Sequence, residues 1–183
     1  MIPLGVLASS HVVAISYVSS AAASAATVNV SSVGVGDLIV VLAGRYANAT
    51  IPTLPAGWTS LATISNTFGV RVGYKLATAA GSQSVGTWTG ADQVTVGVWR
   101  GAGAPSKGDI KVADGTPALS GLAAGAWISA FISVTGGPGP AVAGLTQRLA
   151  NSVYDSAGPM SSRAAISDAG IMVGALVEIP PRT

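Results

Sequence analysis

The chain is expected to fold as an all-β protein: an antiparallel β-sandwich, jelly-roll-like, with an extended N-terminal arm. Three observations predict this. Apolar residues alternate with small or polar ones through Val70-Arg71-Val72-Gly73-Tyr74-Lys75-Leu76 and Val94-Thr95-Val96-Gly97-Val98-Trp99, the pattern of half-buried strands. Glycine and proline, 24 and 10 of the 183 residues, punctuate those runs. No apolar stretch with helical spacing exceeds two turns.

A chain of this length makes one domain and buries about 70% of its unfolded surface without staples. The expected division is an arm over residues 1–10 and a single sandwich over 11–183. There is no cysteine, which excludes disulfides, thiolate zinc sites and cysteine nucleophiles. Only 9% of residues are charged, against about 25% in ordinary soluble domains. Surface so poor in charge is expected to be covered by neighbours. Nine basic and seven acidic residues are spread thinly, and no three Lys or Arg cluster, so the stripe of phosphate contacts that nucleic acid requires is missing.

Residues 1–36 carry no formal charge. No basic residue precedes their apolar part and His11 interrupts it, so they read as an arm leading into a strand over 11–18, not as a targeting segment. Serines break every window that could span a membrane. Residues 21–26 read as a small-residue turn before a strand over 27–31. Val33-Gly34-Val35-Gly36-Asp37 is a turn, and its glycines precede a strand instead of following one, which rules against a dinucleotide loop. Residues 38–43 are apolar on both faces, so that strand should be central. After a polar loop over 45–51, Pro55-Ala56-Gly57 turns the chain into strands over 58–64 and 68–77. Strand-like runs follow at 84–90 and 94–100. Residues 101–117 read as loop with a short strand at 109–112. A strand over 126–135 ends at Gly136-Gly137-Pro138-Gly139-Pro140. The last quarter holds 144–149, a loop containing Asp155, a run at 163–166, and a closing strand over 171–179.

Catalytic chemistry is hard to place on this pattern. The one histidine, His11, lies in an apolar strand, and no Gly-x-Ser-x-Gly elbow occurs. No two acidic residues are paired locally as a glycosidase would require. Asp109 and Asp114 could share a hard cation, but lack a dense oxygen-ligand pattern. No cofactor, metal or catalytic residue is assigned. Of the tryptophans, Trp88 and Trp99 oppose the valine-bearing face and are expected to be exposed. With Tyr46 they are candidate sugar-stacking residues. Arg148 and Asp168 are candidates for a structural ion pair. The apolar arm, carrying Met1, Ile2, Pro3, Leu4, Val6 and Leu7, is a candidate assembly element that orders against a partner. Alternation with low charge would also suit an outer-membrane barrel, although the terminal Pro181-Arg182-Thr183 is no closing aromatic strand.

Taken in order, Gly36-Asp37-Leu38-Ile39-Val40-Val41, Pro55-Ala56-Gly57-Trp58-Thr59, Tyr74-Lys75-Leu76-Ala77, Thr87-Trp88-Thr89 and Val98-Trp99-Arg100-Gly101 form a series. Leu145-Thr146-Gln147-Arg148 and Ile166-Ser167-Asp168-Ala169-Gly170 continue it. The series resembles a recurrent β-sandwich module of structural proteins in tailed bacteriophages and related prophages, over residues 17–175. The resemblance implies a non-enzymatic virion protein, often a homotrimer. Such a protein decorates heads, forms spikes, or sits on tails as an adhesin for host glycans. Standing without a fused fibre shaft, the chain is expected to be a small accessory subunit docked on capsid or tail proteins, without membrane insertion.

Overall fold

The structure is a computed structural model that describes residues 13–46, 48–112, 117–134, 142, 144–149, 152–160 and 171–183. Twelve strands are found there: β1 (Ser16–Ala23), β2 (Asn29–Val33), β3 (Leu38–Arg45), β4 (Thr59–Ser65), β5 (Gly69–Leu76), β6 (Gly81–Ser84), β7 (Gln93–Arg100), β8 (Gly108–Val112), β9 (Trp127–Val134), β10 (Thr146–Leu149), β11 (Val153–Asp155) and β12 (Ile171–Ile179). No helix occurs among the described residues.

Two five-stranded antiparallel sheets stack as a sandwich, in the orders β1-β7-β3-β5-β4 and β10-β11-β9-β12-β8, and β2 and β6 form a separate ribbon. The antiparallel sandwich expected from the alternation is therefore what forms. Its wiring is segregated along the chain: β1, β3, β4, β5 and β7 build the first sheet, and β8 to β12 build the second. Successive strands do not cross between sheets as they do in a jelly roll. The sheets lie edge over edge, β4 beside β8 and β1 beside β10. Among the described residues neither sheet closes on itself; the two packed open sheets are a sandwich, whereas a spanning barrel is one closed sheet.

Three apolar layers result. Leu38, Val40, Leu42, Val70, Val72 and Trp99 of the first sheet meet Phe131, Val153, Val173, Ala175 and Val177 of the second. On the outer face of the first sheet, Ile39, Val41, Val94, Val96 and Val98 lie under Val30 and Val33 of the ribbon and under Trp58, Val85 and Trp88. On the outer face of the second sheet, Ile128, Ala130, Ile132, Tyr154 and Leu176 are covered by Leu119, Leu122, Val142, Leu145 and Met160 from loops. Strand β3 is central, between β7 and β5, as its two-sided apolarity predicts. This layering accounts for much of the scarcity of charge: the chain itself covers most of both faces of both sheets, while Ser60, Thr63 and Ser65 of the edge strand β4 stay exposed. Among the described residues only Val13, Val35 and Leu76 are large hydrophobics left exposed. Low charge thus has an intramolecular cause and does not by itself require a covering partner.

Several boundaries differ from the alternation pattern. Strand β1 runs through Ala21 and Ala23, where a turn was expected, because it pairs with β7 from Ser16↔Arg100 to Ala23↔Val94. Tertiary pairing overrides the weak strand preference of alanine. The run at 84–90 is strand only to Ser84. Beyond it the backbone turns so that Val85 and Trp88 drop onto the outer face of the first sheet. The loop containing Asp155 holds strand β11, paired with β9 and β10. The arm (residues 1–10), His11, Asp114, the run at 163–166 and Asp168 lie outside the described residues.

Candidate functional site

Three of the described carboxylates are buried: Asp37, Asp155 and Glu178 are 2%, 0% and 2% exposed. A buried carboxylate is costly unless hydrogen-bonded and paired.

Asp155 sits where the two sheets meet at the β1/β10 side. Arg148 Nε and Nη2, on the neighbouring β10, donate to Oδ2 and Oδ1, each at 2.9 Å. Across the sandwich, Trp99 Nε1 on β7 donates to Oδ2 at 3.2 Å. The Ala157 amide donates to Oδ1 at 2.9 Å. The Arg148 guanidinium lies over the Tyr17 ring, 4.8 Å from its centroid, and Trp99 packs edge-on against Tyr17 and Phe131. One carboxylate thereby ties the two sheets together through a bidentate arginine and an indole N–H.

Asp37 closes the turn before β3. The Gly34 amide donates to Oδ2 at 2.7 Å, and Arg100 Nε and Nη2 donate at 3.1 and 2.9 Å. The hydrogen bond and charge of Asp37 raise the pKa of Arg100 above its ordinary value. Among the described residues no cation pairs with Glu178 on β12. Its Oε2 accepts from Ser106 Oγ at 2.9 Å and Ser106 N at 3.3 Å, and its Oε1 from Ala123 N at 2.8 Å. It pins two loops to the second sheet.

The more exposed acids are also engaged. Asp92 accepts from the Tyr46 amide at 2.8 Å. Asp109 accepts from Lys111 at 2.9 Å and from the Ala118 amide at 2.9 Å. Every described carboxylate therefore holds a turn, a loop or a strand pair. Among the described residues no three His, Cys, Asp or Glu side chains gather as metal ligands. A hollow of about 210 Å³ opens between Leu122, Ala123, Ala124, Gly125, Pro159 and Met160, and none of these side chains is ionisable.

The expected ligand-stacking residues are corrected by burial. Trp88 and Trp99 are both 0% exposed. Trp99 does oppose the valines of β7, but the face it occupies is the inter-sheet core. Trp88 donates to Val85 O at 3.2 Å and packs edge-on against Trp58, with centroids 5.1 Å apart. A ring enclosed in this way cannot stack on a sugar. Tyr46 is half-buried, its ring edge-on to Phe68 and its hydroxyl bonded to Gln93. The ion pair expected for Arg148 exists, but its partner is Asp155. The two residues close a hairpin over 146–155, and the apolar-polar-apolar run of 145–149 was the available signal for it.

Sequence reading also missed two basic side chains on the outer face of β5. Arg71 Nε donates to Pro52 O at 2.9 Å and Nη1 to Ser60 Oγ at 3.0 Å. Lys75 Nζ stands 5.0 Å from the Trp58 ring centroid, and burial lowers its pKa. Among the described lysines, Lys111 is paired with Asp109 and Lys107 donates to the carbonyls of Ser120 and Gly121. Lys75 should therefore be the described lysine that acylates first with limiting acetic anhydride at mildly alkaline pH, read by peptide mapping. Equal labelling of all three would contradict its placement. The sign for stability follows. Between the lowered pKa and the ordinary 10.5 the unfolded chain binds more protons, so the contribution of Lys75 to stability rises with pH across that window.

No known protein family, no curated protein and no solved structure matches this chain.

Proposed function

We propose that the chain is a non-enzymatic structural subunit of a tailed-phage particle. In this reading it is an accessory protein that docks on the head or tail surface, as copies of itself in a homotrimer set against other virion proteins. One observation carries the non-enzymatic half: each described carboxylate, buried or exposed, is spent on holding the chain's own backbone and side chains. None is left convergent on open space, as an acid–base pair would be. The particle half rests on the ordered motifs that resemble the phage module. Several of them are fold-making: Asp37 with Arg100 closes a turn, and Trp58 and Trp88 cap the first sheet. Docking is assigned to the apolar arm, residues 1–10. Symmetric contacts would multiply its modest burial, at roughly 25 cal/mol per Å².

Quantitative mass spectrometry of density-banded particles from the source tests this. The expected result is peptides of this chain at a fixed stoichiometry to the major shell protein. Failure to find them in banded particles overturns the reading. Deleting residues 1–10 should abolish docking and leave the melting transition in place. Full occupancy by the truncated protein would remove the arm from the account.

A further inference from the structure

Of the two uncharged sheet edges, β1 lies beside the ribbon strand β2, whereas β4 lies beside β8 of the opposite sheet and has Ser65 Oγ, at its end, donating to Ala49 O at 2.7 Å. Strand β1 is held against the ribbon through Ser19 Oγ donating to Ser31 O at 2.6 Å. Strand β8 carries Asp109 and Lys111, and β10 carries Arg148. Strand β4 reads Thr-Ser-Leu-Ala-Thr-Ile-Ser, without charge or proline, and among the described residues it pairs only with β5. Proteins usually guard such an edge with charges or proline, because its outward N–H and C=O groups are a template for another strand. Its one irregularity is a register shift between Ser60 and Ala62.

Two cations lean toward that edge. Arg71 and Lys75 lie on the outer face of β5, opposite in direction to Val70 and Val72, which enter the inter-sheet core. Arg71 reaches over β4 to Ser60 Oγ, and Lys75 reaches to Trp58, one residue before β4 begins. Both are positioned by neutral groups, a carbonyl, a hydroxyl and an indole ring, which leave their charge uncompensated. Among the described residues the ion pairs are Arg100–Asp37, Lys111–Asp109 and Arg148–Asp155, so neither has a carboxylate. Four residues apart on one strand, their Cα atoms are about 13 Å apart.

We propose that β4 is a docking edge for an extended acidic segment of another protein, which adds to the first sheet as a sixth strand. Its acidic side chains, at positions i and i+4, meet Arg71 and Lys75. The spacing is self-consistent: in an added strand, residues i and i+4 share a face and repeat the same distance. Its alternate side chains would extend the inter-sheet layer beside Leu61 and Ile64, which are half-buried at the margin of the core. Main-chain bonds would supply affinity and the two charge contacts specificity. A second copy of this chain does not fit as the donor, since its described carboxylates are committed within the fold. The inference does not depend on the particle reading.

The test uses the full chain and a dye-labelled peptide, Val-Glu-Val-Thr-Val-Glu-Val, with a Gly-Ser tail, read by fluorescence anisotropy. Expected are saturable binding, weakening at high salt, and a loss of about three- to fivefold for each of Arg71→Gln and Lys75→Gln. Replacing both glutamates by glutamine should weaken binding at least as much. N-methylating the amides on one edge of the peptide should abolish binding, and methylating those on the other edge should leave it intact. Both variants should keep the wild-type melting temperature within a few degrees. No binding, binding indifferent to N-methylation on either edge, or binding of dextran sulfate without binding of the peptide would overturn the proposal.

Discussion

Trp99→Ala should be among the most damaging single substitutions in this protein, costing about 4 kcal/mol. The indole is fully buried between the sheets on the β1/β10 side, packed edge-on against Tyr17 and Phe131. It folds back over Gly97, where an added Cβ would lie 2.3 Å from the ring, so glycine there is what gives the indole its place. Truncation leaves a cavity and also removes the N–H that Asp155 accepts. For a chain of this size, each kcal/mol lowers the melting temperature by about 2–4 °C, so a fall of about 8–16 °C is expected in thermal unfolding followed by circular dichroism. Trp99→Phe separates the two contributions. It keeps a six-membered ring in the site, loses the hydrogen bond to a charged group together with the smaller volume of the five-membered ring, and should cost about 1.5–3 kcal/mol. Equal losses for the two variants would mean that packing counts for little here.

Trp88→Ala should cost about 3–5 kcal/mol for a different reason. Trp88 belongs to no strand, yet it is fully buried on the outer face of the first sheet. Its ring lies against Gly73 of β5, where a Cβ would approach to 2.6 Å. Gly73→Val should therefore destabilise through the same contact, by overpacking of about 1–3 kcal/mol. Were Trp88 a solvent-facing ligand platform, Trp88→Ala would change stability by no more than about 0.5 kcal/mol. Equilibrium urea unfolding of the two variants decides between a cap that belongs to the fold and a ring held out for a ligand.

The fold class was legible because period-two alternation survives wherever one face of a strand is buried. The central position of β3 was legible from apolar residues on both its faces. The covering of the outer faces was not. Trp88 was placed by alternation on the face opposite the valines and therefore assigned to solvent. Period two tells which residues share a face, but not whether loops and a ribbon lie over it. Trp99 was misplaced by the same logic: the direction was right, but the face it points to is the one between the sheets. Strand β11 was hidden because three residues, Val153 to Asp155, are too short to show a period. Without it Arg148 could not be matched to Asp155, and Asp168 was chosen in its place. Arg71 and Lys75 were visible only as the polar half of an alternating strand. What marks them is the set of neutral groups that hold them, and that is a tertiary fact.

The charge economy is the other result. A chain with so few ionisable groups would be expected to keep them at its surface. Instead Asp37, Asp155 and Glu178 are inside, each satisfied by donors from a neighbouring element. They act as clasps between a turn and a strand, between the two sheets, and between two loops and a strand.

That claim is tested most directly by thermal unfolding of the carboxamide series Asp37→Asn, Asp155→Asn and Glu178→Gln, with Asp92→Asn as the exposed control. In Glu178→Gln the new NH2 group must face backbone N–H and hydroxyl donors, and in Asp155→Asn it must face the Arg148 fork or the indole. The account predicts that each buried variant loses several degrees of melting temperature while Asp92→Asn stays near wild type. A buried carboxylate that can be amidated without loss of stability would contradict it and free that group for a chemical role.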